Sequence, residues 1–141
     1  MKERITWPLY LILLVFLLDA SIVLAFWAGL GNEAALLSGL ACLLLSVFFY
    51  RFTALEIVVT DKDLKVSRAK IEKEYLGKVE VLNEKEMKFL RGPGINPSAF
   101  LALRFWVKGG IKIDISDSRD PTPYWLISSE NPEKLAELLK N

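Results

Sequence analysis

The chain has 141 residues, with 18 Lys+Arg against 17 Asp+Glu, no histidine and a single cysteine. Near-neutral charge leaves no basic excess to displace the counterions of a nucleic acid. One cysteine excludes an internal disulfide framework or a thiolate metal site, and the lack of histidine removes the commonest general base and metal ligand.

Charge is distributed very unevenly. Residues 5–50 carry only Asp19 and Glu33 as charges, and nearly all the others lie beyond residue 50. Two apolar runs, about residues 7–28 and 34–51, are separated by Gly29-Leu30-Gly31-Asn32-Glu33. Each approaches the ~20 residues that a helix needs to cross a bilayer core. The short connection makes the two helices antiparallel, so the chain enters and leaves the membrane on one side. A cleaved signal peptide would have a shorter core and a small-residue cleavage site. Here Asp19 interrupts the first run, Ile22–Phe26 continues it, and a second run follows. A buried hairpin in a soluble protein would show a polar face, which Leu36–Tyr50 lacks.

Lys2 and Arg4 precede the first run, Arg51 follows the second, and the connection has no basic residue. The positive-inside rule predicts a multi-pass protein of the cytoplasmic membrane with both termini in the cytoplasm. Trp7, Tyr10, Trp27 and Phe48-Phe49-Tyr50 fit aromatic belts at the two interfaces. Asp19 falls near mid-membrane, where an acid costs about 2.5–3.5 kcal/mol on insertion scales. It is expected to face its partner helix, at the depth of Leu43–Leu45, with Ser46 and Cys42 the nearest polar side chains. We read an Asp19–Ser46 contact as a lock on the hairpin. A proton or ion site, or a polar contact with a partner membrane protein, is the competing reading. Ala35, Ser38, Gly39, Cys42 and Ser46 place small residues on one face of the second helix, a contact surface within the hairpin or in a homo-oligomer.

The hairpin, residues 1–52, leads into a predicted cytoplasmic β-rich domain over residues 53–141. Short strands are expected at 54–60, 64–68, 70–75 and 78–83, then a helical segment at 83–90 capped by Asn83 with Glu84 and Glu86 in its first turn. Arg91-Gly92-Pro93-Gly94-Ile95-Asn96-Pro97 breaks regular structure. Alternating apolar residues then predict a hairpin of Leu101–Val107 with Ile111–Ile115 across a three-residue loop. That register sets Arg104 opposite Asp114 and Trp106 opposite Lys112. A final strand, Tyr124–Ser128, precedes a closing helix over about 132–140, with Asn131 at its N-cap and Pro132 at its first position. About seven strands and a C-terminal helix suggest a pleckstrin-homology-like barrel, with a two-layer α+β domain as the alternative.

Arg91-Gly92-Pro93, the run Asn96–Val107 and the run Asp117–Ser128, with its Asp-Pro-Thr-Pro-Tyr-Trp core, closely resemble the domain of unknown function 3093 family of actinobacterial membrane proteins. Glu3-Arg4 followed by Trp7-Pro8 is similar to that family's opening, so the resemblance covers essentially the whole chain. Phe105 stands where many members have proline. The resemblance implies two membrane helices and no particular activity.

Catalysis is weakly supported. No glycine-rich phosphate loop with a lysine is present, Asp117 and Asp120 read better as a solvated turn than as cation ligands, and Arg91–Gly94 better as a turn than as an anion loop. No cofactor or metal is expected. Arg104, Trp106, Tyr124 and Trp125 form a candidate partner-binding patch of hot-spot composition. These features point to a non-enzymatic interaction or regulatory module that docks an integral membrane or cytoplasmic protein at the membrane surface. A lipid-headgroup-binding domain is the alternative, and a small membrane enzyme a weaker third.

Overall fold

The structure is a computed structural model that describes residues 1–140. It divides into two units: Thr6–Ala54, and a second made of Met1–Ile5 together with the chain from Leu55 onward.

The first unit is a helical hairpin of α1 (Leu9–Leu30) and α2 (Asn32–Thr53). Both helices are long and apolar enough to span a membrane, and no residue of either is buried. The connection is tighter than expected from the sequence. Only Gly31 lies between the helices, at φ +86°, backbone geometry that is accessible essentially to glycine alone. Side-chain ties hold the pair at three levels. The Trp27 indole donates to Asn32 Oδ1 at 2.8 Å beside the turn, Ser46 donates to Asp19 at mid-length, and the Trp7 indole donates to Thr53 Oγ1 at 2.7 Å near the open end. Trp7 also meets Tyr50 edge-to-face, with ring centroids 5.6 Å apart.

The second unit is built from two four-stranded sheets. The first runs β1 (Lys2–Ile5), β2 (Leu55–Val59), β3 (Asp63–Val66), β4 (Ala69–Glu72), with neighbours antiparallel. Period-two alternation turns Ile5, Leu55, Ile57, Val59, Leu64 and Val66 inward, while Lys2, Arg4, Glu56 and Lys65 are exposed. Residues 1–5 were expected to belong with the hairpin. They form an edge strand of the β domain instead, paired Ile5 to Leu55 and Lys2 to Val58. The hairpin is therefore an insertion between two adjacent strands.

The second sheet has the order β5 (Leu76–Leu82), β7 (Gly110–Ile115), β8 (Tyr124–Ser128), β6 (Phe100–Ala102). The predicted hairpin of residues 101–107 with 111–115 does not form. Both edges of β7 are taken, by β5 on one side and β8 on the other, and β6 pairs in parallel with β8. The chain leaves strand geometry after Ala102. The buried Ser128 hydroxyl accepts the Arg104 N–H at 2.9 Å, and the Arg91 guanidinium donates to the Val107 carbonyl at 2.6 Å. Alternation alone could not forecast this, because Phe105, an inward position of that pattern, is 72% exposed.

Side chains of both sheets and of α4 (Pro132–Lys140) share one core around Ile57, Leu64, Ile111, Ile113, Ile127 and Leu135. A smaller cluster, Leu82, Met87 and Leu126, lies beneath α3 (Glu84–Arg91). The second sheet is thus covered on both faces, which explains the unbroken apolar run in β8. The Asn83 cap is a full capping box, with Asn83 Oδ1 accepting from Lys85 and Glu86 N–H and Glu86 returning to the Asn83 N–H. Neither sheet is closed, so the established architecture is two small sheets and a C-terminal helix after two long apolar helices. Gly110 marks the tightest strand approach, since a Cβ there would collide with the Ile127 carbonyl and the Met87 thioether. Gly110→Ala is expected to destabilise the domain by about 1–3 kcal/mol, because backbone rather than a flexible side chain must move. An unchanged thermal midpoint would refute that packing.

Candidate functional site

Asp19 and Ser46 meet as anticipated: the Ser46 hydroxyl donates to Asp19 Oδ2 at 2.7 Å. Side chains of a helix lean toward its N-terminus. In this antiparallel pair Asp19 leans toward the open end and Ser46 toward the turn, which brings together positions that backbone depth alone would offset. Cys42 makes no such contact and instead lines a groove along the hairpin.

That groove has a volume of about 430 Å³. It runs from Asp19 past Val23 to Trp27 on α1, and along Ala35, Gly39 and Cys42 on α2. The small residues create it by leaving the α2 backbone uncovered. A Cβ on Gly39 would stand 3.6 Å from the Val23 side chain, an ordinary contact, so Gly39 faces α1 beside the groove and has room for a methyl group. Asp19 is its only ionisable lining group besides the thiol of Cys42. Lipid offers no replacement donor, so an orphaned carboxyl is the costly state. Ser46→Ala is expected to loosen the isolated hairpin by about 1 kcal/mol. Asp19→Leu combined with Ser46→Ala should cost less than Ser46→Ala alone, as steric trapping in bicelles would measure. Equal losses in the single and double variants would mean that the bond is idle.

The candidate patch of Arg104, Trp106, Tyr124 and Trp125 does not assemble on one surface. Adjacent strand residues point to opposite faces, so Trp125 enters the main core at 5% exposure while Tyr124 packs on the cluster beneath α3. Trp106 packs against the main core with its indole nitrogen buried and unpartnered. Arg104 is half-buried and donates to the Leu103 carbonyl at 2.6 Å, and burial lowers its pKa. The expected cross-strand pairs are replaced too. Asp114 lies opposite Tyr124, and the Lys112 ammonium sits 4.9 Å from the Tyr124 ring centroid. The large apolar side chains exposed on the β domain are Val81, Phe89, Ile95 and Phe105.

The loop acids are engaged locally. Asp117 accepts from the Arg119 side chain at 3.0 and 3.1 Å and from its backbone N–H at 2.9 Å, and these bonds hold its carboxyl below the usual range. Asp120 accepts the Thr122 N–H at 2.8 Å. Both are turn-forming interactions. Among the described residues no group of three His, Cys, Asp or Glu side chains could hold a metal ion. Arg91 reaches back to Val107 and Ser128, and burial lowers its pKa as well. Its guanidinium ties the irregular segment to the end of β8.

The profile of a family described as "Protein of unknown function (DUF3093)" matches residues 1–139. The chain belongs to the DUF3093 family. No curated protein and no solved structure matches it. The DUF3093 match begins ahead of the hairpin and so includes β1. That strand carries a residue that periodicity did not single out. Glu3 is 8% exposed, and its carboxylate accepts from the Ser129 hydroxyl at 2.9 and 3.2 Å and from the Glu130 N–H at 2.7 Å. A charged residue in a short N-terminal segment reads as solvated, and its partners lie at the far end of the DUF3093 chain, so no local signal could have revealed them.

Proposed function

We propose that the chain is a non-enzymatic, membrane-anchored interaction module. Its hairpin crosses the cytoplasmic membrane twice with both ends on the cytoplasmic side, and its β domain docks a protein partner at the membrane surface. One observation carries this reading: two 22-residue helices with no buried residue are inserted between paired strands of one domain. So much exposed apolar surface is stable only in lipid or against other membrane helices. The pairing of Ile5 with Leu55 supports an even number of crossings, with both ends of the hairpin on one side. Lys2, Arg4 and Arg51 flank the hairpin and Gly31 links its helices without a basic residue, which favours the cytoplasmic side. A β domain tethered through Thr6-Trp7-Pro8 and Ala54 works within reach of the bilayer, where membrane-bound partners are concentrated.

The test is purification of the full chain from native membranes, intact and with Phe89→Ser and Phe105→Ser. A stoichiometric protein partner, lost with these exposed-residue variants while the thermal midpoint is kept, is the expected result. Retention of anionic lipid alone would move the reading to headgroup binding. Turnover abolished by Asp117→Asn would make the chain an enzyme.

A further inference from the structure

Asp19 has one hydrogen bond, from Ser46, and the rest of its carboxyl lines a groove open along two turns of the hairpin. In lipid that surface is unsatisfied twice over: the small residues leave a trough that acyl chains fill poorly, and the carboxyl lacks a second donor. Ionisable groups at this depth pair with one another or with polar groups of a neighbouring helix. A second copy of this chain has little to offer. The polar side chains along its two helices near this depth are Asp19, Ser21, Ser38, Cys42 and Ser46. Ser21 and Ser38 already donate to the Leu17 and Ala35 carbonyls, at 2.8 and 3.0 Å, and Ser46 donates to Asp19. A symmetric pair would also bring two carboxyls together, and like charges oppose ionisation.

We infer that the groove receives one transmembrane helix of a different membrane protein, whose Lys or Arg at mid-membrane depth donates to the exposed side of Asp19. Charge complementarity selects this occupant. The carboxyl supplies the counter-charge a basic residue needs in hydrocarbon, and Gly39 and Ala35 let the incoming backbone approach closely. The inference rests on the interaction-module reading and assigns that module its membrane-embedded partner.

The experiment places a photoreactive phenylalanine analogue in the full chain, in its native membrane, at Val23 or Leu24 on the groove, at Leu17 or Leu44 on the outward surface, and at Phe89 on the β domain. Irradiation should join Val23 and Leu24, and not Leu17 or Leu44, to a different protein with a basic residue inside a membrane span. Asp19→Asn, which keeps the Ser46 bond, should reduce that adduct at least tenfold, and Gly39→Leu, which fills the trough, should do the same. Exchanging the charges, Asp19→Lys here with an acid at the partner's basic position, should restore it. Adducts of twice this chain's mass, lipid adducts alone, or a partner span without a basic residue would each overturn the inference. If Phe89 captures a protein while the groove captures none, the groove assignment fails and the interaction module stands. If neither captures a protein, both fail.

Discussion

A chain in which Ile5 is joined to Leu55 through Asn-Gly, with Thr6–Ala54 removed, is expected to be soluble and folded, whereas residues 55–141 alone are expected to be largely unfolded. The register decides the splice. Met1 and Val59 exchange both backbone hydrogen bonds, each at 2.8 Å. Pairing alternates along an antiparallel ladder, so Ile5–Leu55, four residues further along, is again a hydrogen-bonded pair. A two-residue Asn-Gly turn closes such a pair in the twist that strands favour. The fragment without β1 loses the fully buried Ile5, worth about 1.5–3 kcal/mol, and the hydrogen bonds of Glu3, worth about 1.5–3 kcal/mol for a charged acceptor. It also bares the edge of β2. Small domains retain only about 5–15 kcal/mol in total, so much of the stability goes with one four-residue strand. Circular dichroism melts of the two proteins check this directly. Coincident midpoints would show β1 to be dispensable.

Glu3→Ala should lower the stability of the spliced protein by about 2–4 kcal/mol, an unusually large effect for a charged residue outside any ion pair. Among the described residues Glu3 is the one charged residue that the fold buries. Its carboxylate collects the Ser129 hydroxyl and the Glu130 N–H just before Pro132 opens α4. The Asn131 N–H in turn donates to Ser129 Oγ at 3.1 Å. Negative charge at the start of a helix is favourable, and the same bonds anchor the first sheet to the segment leading into the closing helix. Alanine leaves a buried hydroxyl and an amide without an acceptor. Glu3→Gln keeps the shape but turns a donor toward donors, so it should fall between alanine and the parent. Urea denaturation with an unchanged slope and a lowered midpoint is the expected signature. A change in stability within about 0.5 kcal/mol would mean that water replaces the carboxylate without penalty.

How legible each element was follows from where its partners lie. The hairpin, the Asn83 cap and the closing helix were readable because their signals are local: apolar run length, a capping residue beside its first turn, and apolar spacing of three and four. The β2–β4 meander was readable for the same reason, although the Ser67 turn (φ +53°) ends β3 at Val66, two residues before the expected end at Arg68. Depth matching across the turn placed Ser46 near Asp19, and the lean of both side chains toward their helix N-termini closes the remaining offset. Residues 101–107 misled because alternation describes a strand without naming its neighbour, and β7 had no free edge to give. The Arg104–Trp106–Tyr124–Trp125 patch dissolved because β8 is covered on both faces, so its aromatics are divided between two clusters.

The sequence by itself determined that two apolar helices fold back on each other around Gly31, with one acid between them, and that a small β-rich unit ends in a capped helix. These outcomes depend on hydrophobic length and period and on backbone preferences, which act within a few turns of the chain. Only the tertiary structure decided that the first five residues complete the domain across the hairpin, that β6 runs parallel to β8, that Glu3 is interior, and that Asp19 borders an unfilled groove. Each of those is a pairing between segments distant in the chain. Such pairings are chosen by which edges and faces remain to be covered once the core has closed, and no local pattern carries that information.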